Sequence, residues 1–218
     1  MRKKLQRFEE NQTLERLIEP GKDFLDTAKG NWKKDLFKND GSITLEVGCG
    51  RGEYAIELAK RYPDRNFIGI DFQGERLWYG AKQVEELGLT NVVFLRMRLE
   101  QIDQFFAEDE VDEIWITFPG PRMKKTQSNR RLTNIKFLDL YKSITSLNGI
   151  IHLKTDSDFV FDYTKDILLD RKDIKIMSEI GDVYAEASDP QLIGIQTYYE
   201  KGFIAEGKRI KYLSWRYI

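Results

Sequence analysis

Ile43-Thr44-Leu45-Glu46-Val47-Gly48-Cys49-Gly50-Arg51-Gly52-Glu53 is the stretch that decides the fold. Its first five residues are β-branched or apolar around one acid, as a buried strand requires. Its last residue opens an amphipathic helical stretch, Glu53–Arg61. Between them, glycines at 48, 50 and 52 let the backbone turn tightly and approach a ligand with no Cβ in the way. Strand, glycine turn and helix in that order open a parallel α/β unit whose turn receives a ligand.

Working outward, the same alternation continues. Strands are predicted at Asn66–Ile70, Val92–Leu95, Glu113–Phe118, Gly149–Thr155, Ile174–Ile180 and Arg209–Trp215, making seven with Ile43–Val47. Helices are predicted at Glu75–Leu87, Leu99–Phe106, Leu132–Leu147 and Phe159–Leu169, with Pro63, Gly88 and Asn148-Gly149 at the joints. The expected fold class is α/β: a Rossmann-like three-layer sandwich, a mostly parallel seven-stranded sheet with helices on both faces. Residues 1–40, polar and helical in flavour, are expected to form an N-terminal helical arm outside this core. Ligands should bind beyond the carboxyl ends of the strands, at the switch point.

Composition narrows the function classes. The chain has 218 residues, 41% of them hydrophobic, enough for one domain with its own core. No run approaches the roughly 18 apolar residues of a membrane span, and Met1-Arg2-Lys3-Lys4-Leu5 leads into polar sequence, so a cytoplasmic protein with no membrane partner is expected. One cysteine, Cys49, and one histidine, His152, argue against a disulfide framework and against a metal centre. His152 lies in an apolar strand and reads as a satisfied core residue; Cys49 reads as a small side chain tolerated in the turn. Net charge is −1, so any polyanion surface must be local. From Ile114 to Leu138 there is no acid, while Arg122, Lys124, Lys125, Arg130, Arg131 and Lys136 are present. Alone, such a run reads as a solvated loop; following the fourth strand, it borders the expected ligand edge.

The turn is spaced G-x-G-x-G, because position 53 is Glu where a dinucleotide fingerprint would continue to glycine. Pyrophosphate disfavours acids there, whereas Glu46 and Glu53 suit a cationic ligand such as S-adenosylmethionine, which carries a sulfonium and an ammonium. Asp71, ending the second strand, can accept hydrogen bonds from both ribose hydroxyls; its alternative role is a helix cap. Asp156, after the fifth strand, can accept hydrogen bonds from a guanine N1–H and amino group; its alternative role is again a helix cap. Tyr198, Tyr199 and Phe203 either stack on a base or pack a helix.

Taken together, E-V-G-C-G-R-G-E, G-I-D, F-P-G-P-R-M-K-K-T-Q-S-N-R-R-L, H-L-K-T-D and T-Y-Y-E-K-G-F resemble the successive motifs of the bacterial tRNA (guanine-N(7)-)-methyltransferases over about residues 40–216. The first two segments are shared by many methyltransferases; the last three are particular to this family. The resemblance makes residues 41–218 an S-adenosylmethionine-dependent methyltransferase domain and tRNA the substrate, methylated at N7 of a variable-loop guanosine. It implies donor contacts at Glu46, Asp71, Arg98 and Gly120 as well as the glycines 48, 50 and 52. It implies substrate contacts at Lys124, Asp156, Thr197, Tyr198, Tyr199 and Glu200, with Lys125, Thr126, Gln127, Ser128, Asn129, Arg130 and Arg131 facing RNA. Asp156 is the candidate catalytic residue, since Gly120 stands where the family carries Asp. Arg98 replaces an Asp or Asn, Arg122 an aromatic residue or His, and Thr126-Gln127 an Arg-His pair. Two other functions fit these departures: a tRNA-binding member without methyl transfer, or a methyltransferase of this fold with another substrate. A monomer and a homodimer are both compatible with the sequence.

Overall fold

The computed structural model describes residues 2–218, with side chains from Gln6 onward. Met1 and the side chains before Gln6, the start of the expected arm, lie outside the described residues. In chain order the elements are α1 (Arg2–Asn11), β1 (Leu17–Ile18), β2 (Ile43–Val47), α2 (Glu53–Arg61), β3 (Asn66–Asp71), α3 (Gly74–Leu87), β4 (Val92–Arg96), α4 (Ile102–Phe105), β5 (Val111–Thr117), α5 (Ile135–Ile144), β6 (Thr145–Thr155), α6 (Asp158–Asp170), β7 (Ile174–Ile180), α7 (Val183–Glu186), α8 (Pro190–Ile193), α9 (Tyr198–Ala205) and β8 (Lys211–Tyr217). No helix among the described residues is long and apolar enough to cross a membrane.

The strands form one sheet in the order β1-β4-β3-β2-β5-β6-β8-β7. All pairs are parallel except β8, which runs antiparallel to both β6 and β7. The chain moves outward from β2 to β4 and then jumps back beside β2 with β5, so the switch point lies between the carboxyl ends of β2 and β5. Alternation along β2 sends Ile43, Leu45 and Val47 into one apolar cluster with α5 and α6. The opposite face packs Phe67, Phe94 and Trp115 against Tyr54 of α2 and Leu77 of α3.

Three features depart from the sequence reading. The sheet has eight strands, because Leu17 and Ile18 pair in parallel with Phe94 and Leu95 at its edge. Residues expected in an arm are therefore core residues: Leu17 and Trp32 are fully buried. Trp32 donates from Nε1 to the Phe105 carbonyl at 2.8 Å, stacks on Phe106 and meets the edge of Phe24. Two-residue strands and irregular apolar spacing carry no period, which is why the sequence hides them. Finally, α5 stops at Ile144 instead of reaching Leu147. Thr145 turns to extended backbone, donates from Oγ1 to the Tyr141 carbonyl and pairs with Val111, so Asn148-Gly149 sits in a bulge of β6 rather than ahead of it.

Replacing Trp32 by Ala should remove this anchor. A fully buried Trp truncated to Ala typically costs about 3–5 kcal/mol, so a large drop in melting temperature is expected. A melting temperature near that of wild type would mean that the N-terminal segment is not part of the folded core.

Candidate active site

Chain reversal at the end of β2 is made by Gly48, Gly50 and Gly52, with φ of 70, 60 and 70°. These left-handed angles disfavour residues with a Cβ. Gly52 has a second reason, since a Cβ there would overlap the Phe94 ring. The Cys49 N–H donates to the Ile70 carbonyl at 3.0 Å, so the turn folds back onto the end of β3.

Asp71 closes β3 beside this turn, buried, with Oδ2 accepting the Gly50 N–H at 3.0 Å and Oδ1 the Gln73 N–H at 2.9 Å. Gln73 caps α3 with no side-chain bond of its own, so Asp71 supports that helix start as well. Each carboxylate oxygen accepts two hydrogen bonds, leaving one site apiece for ribose hydroxyls. Phe72, next in the chain, is 62% exposed. Sequence reasoning did not single it out; an aromatic residue directly after the strand-end acid, where the chain leaves the sheet, was the available signal. Arg98 is exposed just beyond β4 at the same edge.

Glu46 lies beneath the turn. It is buried, with Oε2 accepting the Ala55 N–H of α2 at 2.9 Å and Oε1 the Thr117 hydroxyl at 2.9 Å. Each oxygen is thus engaged once with the protein, and the residue supports the turn from beneath. Glu53 is likewise engaged, accepting the Tyr198 N–H at 2.6 Å.

The acid-free segment leaves β5 through two strained residues, Phe118 and Arg122, with φ of 48 and 45°. Lys124 is exposed just before a short 3-10 helix, Lys125–Arg130, on which Lys125, Thr126, Asn129 and Arg130 are exposed and Gln127 and Ser128 half-buried. Arg131 behaves differently from its neighbours. Its Nε donates to the Arg122 carbonyl at 3.1 Å and its Nη2 to the Met123 carbonyl at 3.3 Å, while the guanidinium lies over Phe159 and Tyr163. It pins the loop. Leu132 packs on Gly48, which brings the end of this loop against the glycine turn. Gly120 is exposed with ordinary backbone angles, and a Cβ there would meet only Arg122 Nε, at 3.8 Å.

Beyond β6, Asp156 is half-buried and receives Lys208 Nζ on Oδ2 at 3.1 Å. The cap of α6 is Ser157, whose hydroxyl accepts the Val160 N–H, so Asp156 is free of the capping role. Thr197 caps α9 by accepting the Glu200 N–H at 3.2 Å. Tyr198 and Tyr199, 74% and 57% exposed, stand edge to face at the start of α9. Glu200, expected to meet substrate, is instead fully buried, paired with Lys154 Nζ at 2.7 Å and accepting the Tyr184 hydroxyl at 2.8 Å. Lys154 also donates to the Leu192 and Ile195 carbonyls. The two segments K-T-D and T-Y-Y-E are therefore joined by an ion pair inside the molecule.

His152 is a core residue, stacked on Trp115, with Nδ1 2.7 Å from the Tyr212 hydroxyl and Nε2 3.0 Å from Glu113. Burial pushes its pKa down to about 3, so it is neutral.

Comparison with known proteins places these features. Residues 40–213 match the family described as "Putative methyltransferase". The tRNA (guanine-N(7)-)-methyltransferase of Christiangramia forsetii is 46% identical over 98% of this chain and 97% of that one. The tRNA (guanine-N(7)-)-methyltransferase of Cytophaga hutchinsonii is 39% identical over 100% and 98%. Among solved structures, the 16S rRNA methyltransferase KamB superposes with a TM-score of 0.65 at 15% identity, covering 87% of this chain and 94% of that one. A SAM-dependent methyltransferase from Aquifex aeolicus does so with a TM-score of 0.57 at 17% identity, covering 96% and 98%. At such identities the superpositions speak for the fold.

Burial pushes the Glu46 carboxyl up to about 7, outweighing the hydrogen bonds from Ala55 and Thr117, which favour its charged form. Between about pH 4.5 and 7 the folded chain holds a proton that the unfolded chain has lost. The Glu46 contribution is thus fully present below about pH 4.5 and falls as pH rises to 7, by on the order of 3 kcal/mol. Glu46→Gln cannot titrate, so the stability of wild type relative to this variant should decline across that window. Thermal melts of both proteins at several pH values that stay parallel would remove the buried, proton-holding role of Glu46.

Proposed function

We propose, for a chain that belongs to the tRNA (guanine-N(7)-)-methyltransferase family, the reaction of that family: methyl transfer from S-adenosylmethionine to N7 of a guanosine in tRNA. The variable loop is the proposed position of that guanosine and the cytoplasm the proposed compartment. The observation that carries this reading is the junction at Gly48, where the glycine turn that borders Asp71 meets the end of an acid-free, exposed basic loop.

The residues fit the donor. Within the turn Gly50 leaves its backbone open, with nothing nearer than Arg76 Nη1 to where a Cβ would stand, Asp71 keeps acceptor sites for the ribose, and Phe72 offers an exposed ring beside it. When bound, S-adenosylmethionine supplies an electrophilic methyl group, and the bond from sulfur to that methyl breaks as guanine N7 takes it. N7 bears a lone pair in the ring plane and no proton, so no side chain has to act as a general base. What the protein must provide is alignment, and good orientation alone is worth effective molarities of roughly 10⁵–10⁸ M. Loss of the family's acid at Gly120 therefore leaves the step intact.

For alignment, Asp156 is assigned to hold the guanine edge through its N1–H and amino group, with Lys208 fixing the carboxylate. Tyr198 and Tyr199 present exposed rings for stacking a base. Lys124, Lys125 and Arg130, exposed and without an acid partner among the described residues, are assigned to RNA phosphates. Arg131 and Glu200 act from behind, the first by fixing the loop and the second by fixing α9.

Incubating the protein with unmodified tRNA and donor should yield 7-methylguanosine in nucleoside mass analysis. Asp71→Ala should weaken S-adenosylhomocysteine binding tenfold or more, since each charge-assisted hydrogen bond is worth roughly 1.5–3 kcal/mol, with tRNA affinity nearly unchanged. tRNA that stays unmethylated would overturn the activity, and unchanged donor affinity would remove Asp71 from the site.

The basic loop has its own test. Arg130→Ala should lower the slope of log tRNA affinity against log salt by about 0.7–0.9. Arg131→Lys keeps the charge but loses the two-carbonyl clamp, so it should keep the slope while lowering turnover on tRNA. The reverse pattern would make Arg131 the phosphate contact and Arg130 the bystander.

A further inference from the structure

Positive charge also gathers on the other flank of the glycine turn. Arg51 and Arg76 are exposed, and neither pairs with an acid among the described residues. The Arg51 guanidinium lies 4.5 Å from the centre of the Tyr79 ring. Arg7, on α1, lies 4.7 Å from the same ring and 5.2 Å from Trp78. Arg76 reaches back over the turn, its Nη1 3.9 Å from where a Cβ on Gly50 would stand. Two carboxylates stand at the group: Glu75 pairs with Arg7 at 2.6 Å, and Glu10 is held by Trp78.

The cluster is built rather than incidental, because α1 is fastened to α3 around it. Trp78 Nε1 donates to Glu10 at 2.7 Å, Asn11 Nδ2 donates to the Gly74 carbonyl at 3.2 Å, and Arg96 lies over Phe8. Two guanidinium groups, Arg7 and Arg51, share the Tyr79 ring, and Arg76 stands nearby at Gly50; of the three only Arg7 is paired with an acid among the described residues, so Arg51 and Arg76 leave positive charge for an anion to complete. Leu132, at the end of the basic loop, touches the turn at Gly48, and Arg76 touches it at Gly50. The two basic surfaces therefore flank the same few residues, and interleaved Trp78 and Tyr79 give this one the mixed basic and aromatic character of a nucleic-acid surface.

We propose that Arg7, Arg51 and Arg76 form a second phosphate-binding surface for the RNA substrate, so that the RNA backbone is held on both flanks of the glycine turn. This rests on tRNA being the substrate. A base delivered to a donor bound at the turn brings its own strand across the turn, and phosphates on either side of that base then pass over both flanks. The polyanion gains by releasing its condensed counterions to these arginines.

The test uses the full chain carrying Arg51→Ala and Arg76→Ala together, with Arg51→Lys and Arg76→Lys as the charge-keeping control. tRNA affinity is measured from about 50 to 200 mM salt, S-adenosylhomocysteine affinity by calorimetry, and folding by thermal melt. Each lost phosphate contact lowers the salt slope by about 0.7–0.9, so the wild-type advantage should shrink roughly tenfold across that range. Donor affinity should hardly move, and the lysine control should restore the slope. A wild-type slope in the alanine variant overturns the proposal. So does a weakened donor affinity at unchanged slope, which would assign these arginines to the donor's carboxylate. A wild-type chain that neither binds nor methylates tRNA removes the premise and the surface with it. One that methylates tRNA while the variant's slope is unchanged removes the surface alone.

Discussion

Glu46 stands where β2, α2 and β5 meet, and its carboxyl binds the three together: it belongs to β2, accepts the Ala55 N–H of α2 and accepts the Thr117 hydroxyl of β5. The first turn of a helix leaves its N–H groups unpaired, and a buried acceptor beneath α2 satisfies one of them while fixing where the helix starts. That start sets the path of the glycine turn, and Thr117 sets where β5 releases the basic loop. Glycine turn and basic loop are thus placed by the same buried group. Burial has a cost, visible in the raised pKa, and the cost is tolerable because both oxygens are hydrogen-bonded.

A second buried polar device, Lys154 with Glu200, plays the corresponding part on the far side of the site. Burial pushes Lys154 down and Glu200 up, and each charge opposes the other's shift. A pair of this kind gives little net stability against an apolar alternative, but removing one partner alone is strongly destabilising. What it provides here is position. Lys154 gathers the Leu192 and Ile195 carbonyls and Glu200 onto the end of β6, one residue pair before Asp156. The exposed Tyr198 and Tyr199 are then presented from a helix that is short and would not hold its place unaided.

Around these two anchors the chemistry asked of the protein is modest. A nucleophile with no proton to lose needs no base, so acids can be spent on holding rather than on proton transfer. The backbone strain at Phe118 and Arg122 belongs to the same scheme. Residues held at left-handed angles persist when their surroundings over-determine them, and Arg131, clamping the Arg122 and Met123 carbonyls between two aromatic rings, does so.

The sequence by itself determined seven of the eight strands, the switch point and the glycine turn. β2, α2 and β7 begin and end where periodicity predicts, because alternating burial and a 3.6-residue stripe are local patterns that a single chain displays. Asp71 and the basic loop followed from their places after strands. Tertiary structure decided what each polar side chain does. Glu46, Glu200 and Arg131 carry the residue types and motif positions of ligand contacts, yet Glu46 and Glu200 are engaged by groups from elements distant in the chain, and Arg131 by carbonyls of its own loop and by the rings of Phe159 and Tyr163. The edge strand Leu17–Ile18 and the buried Trp32 were hidden for the same reason, since two residues cannot show a period and their partners lie about 70 residues on. Local pattern fixes which face of an element is apolar; whether a charge meets water, ligand or another charge depends on what folds against it.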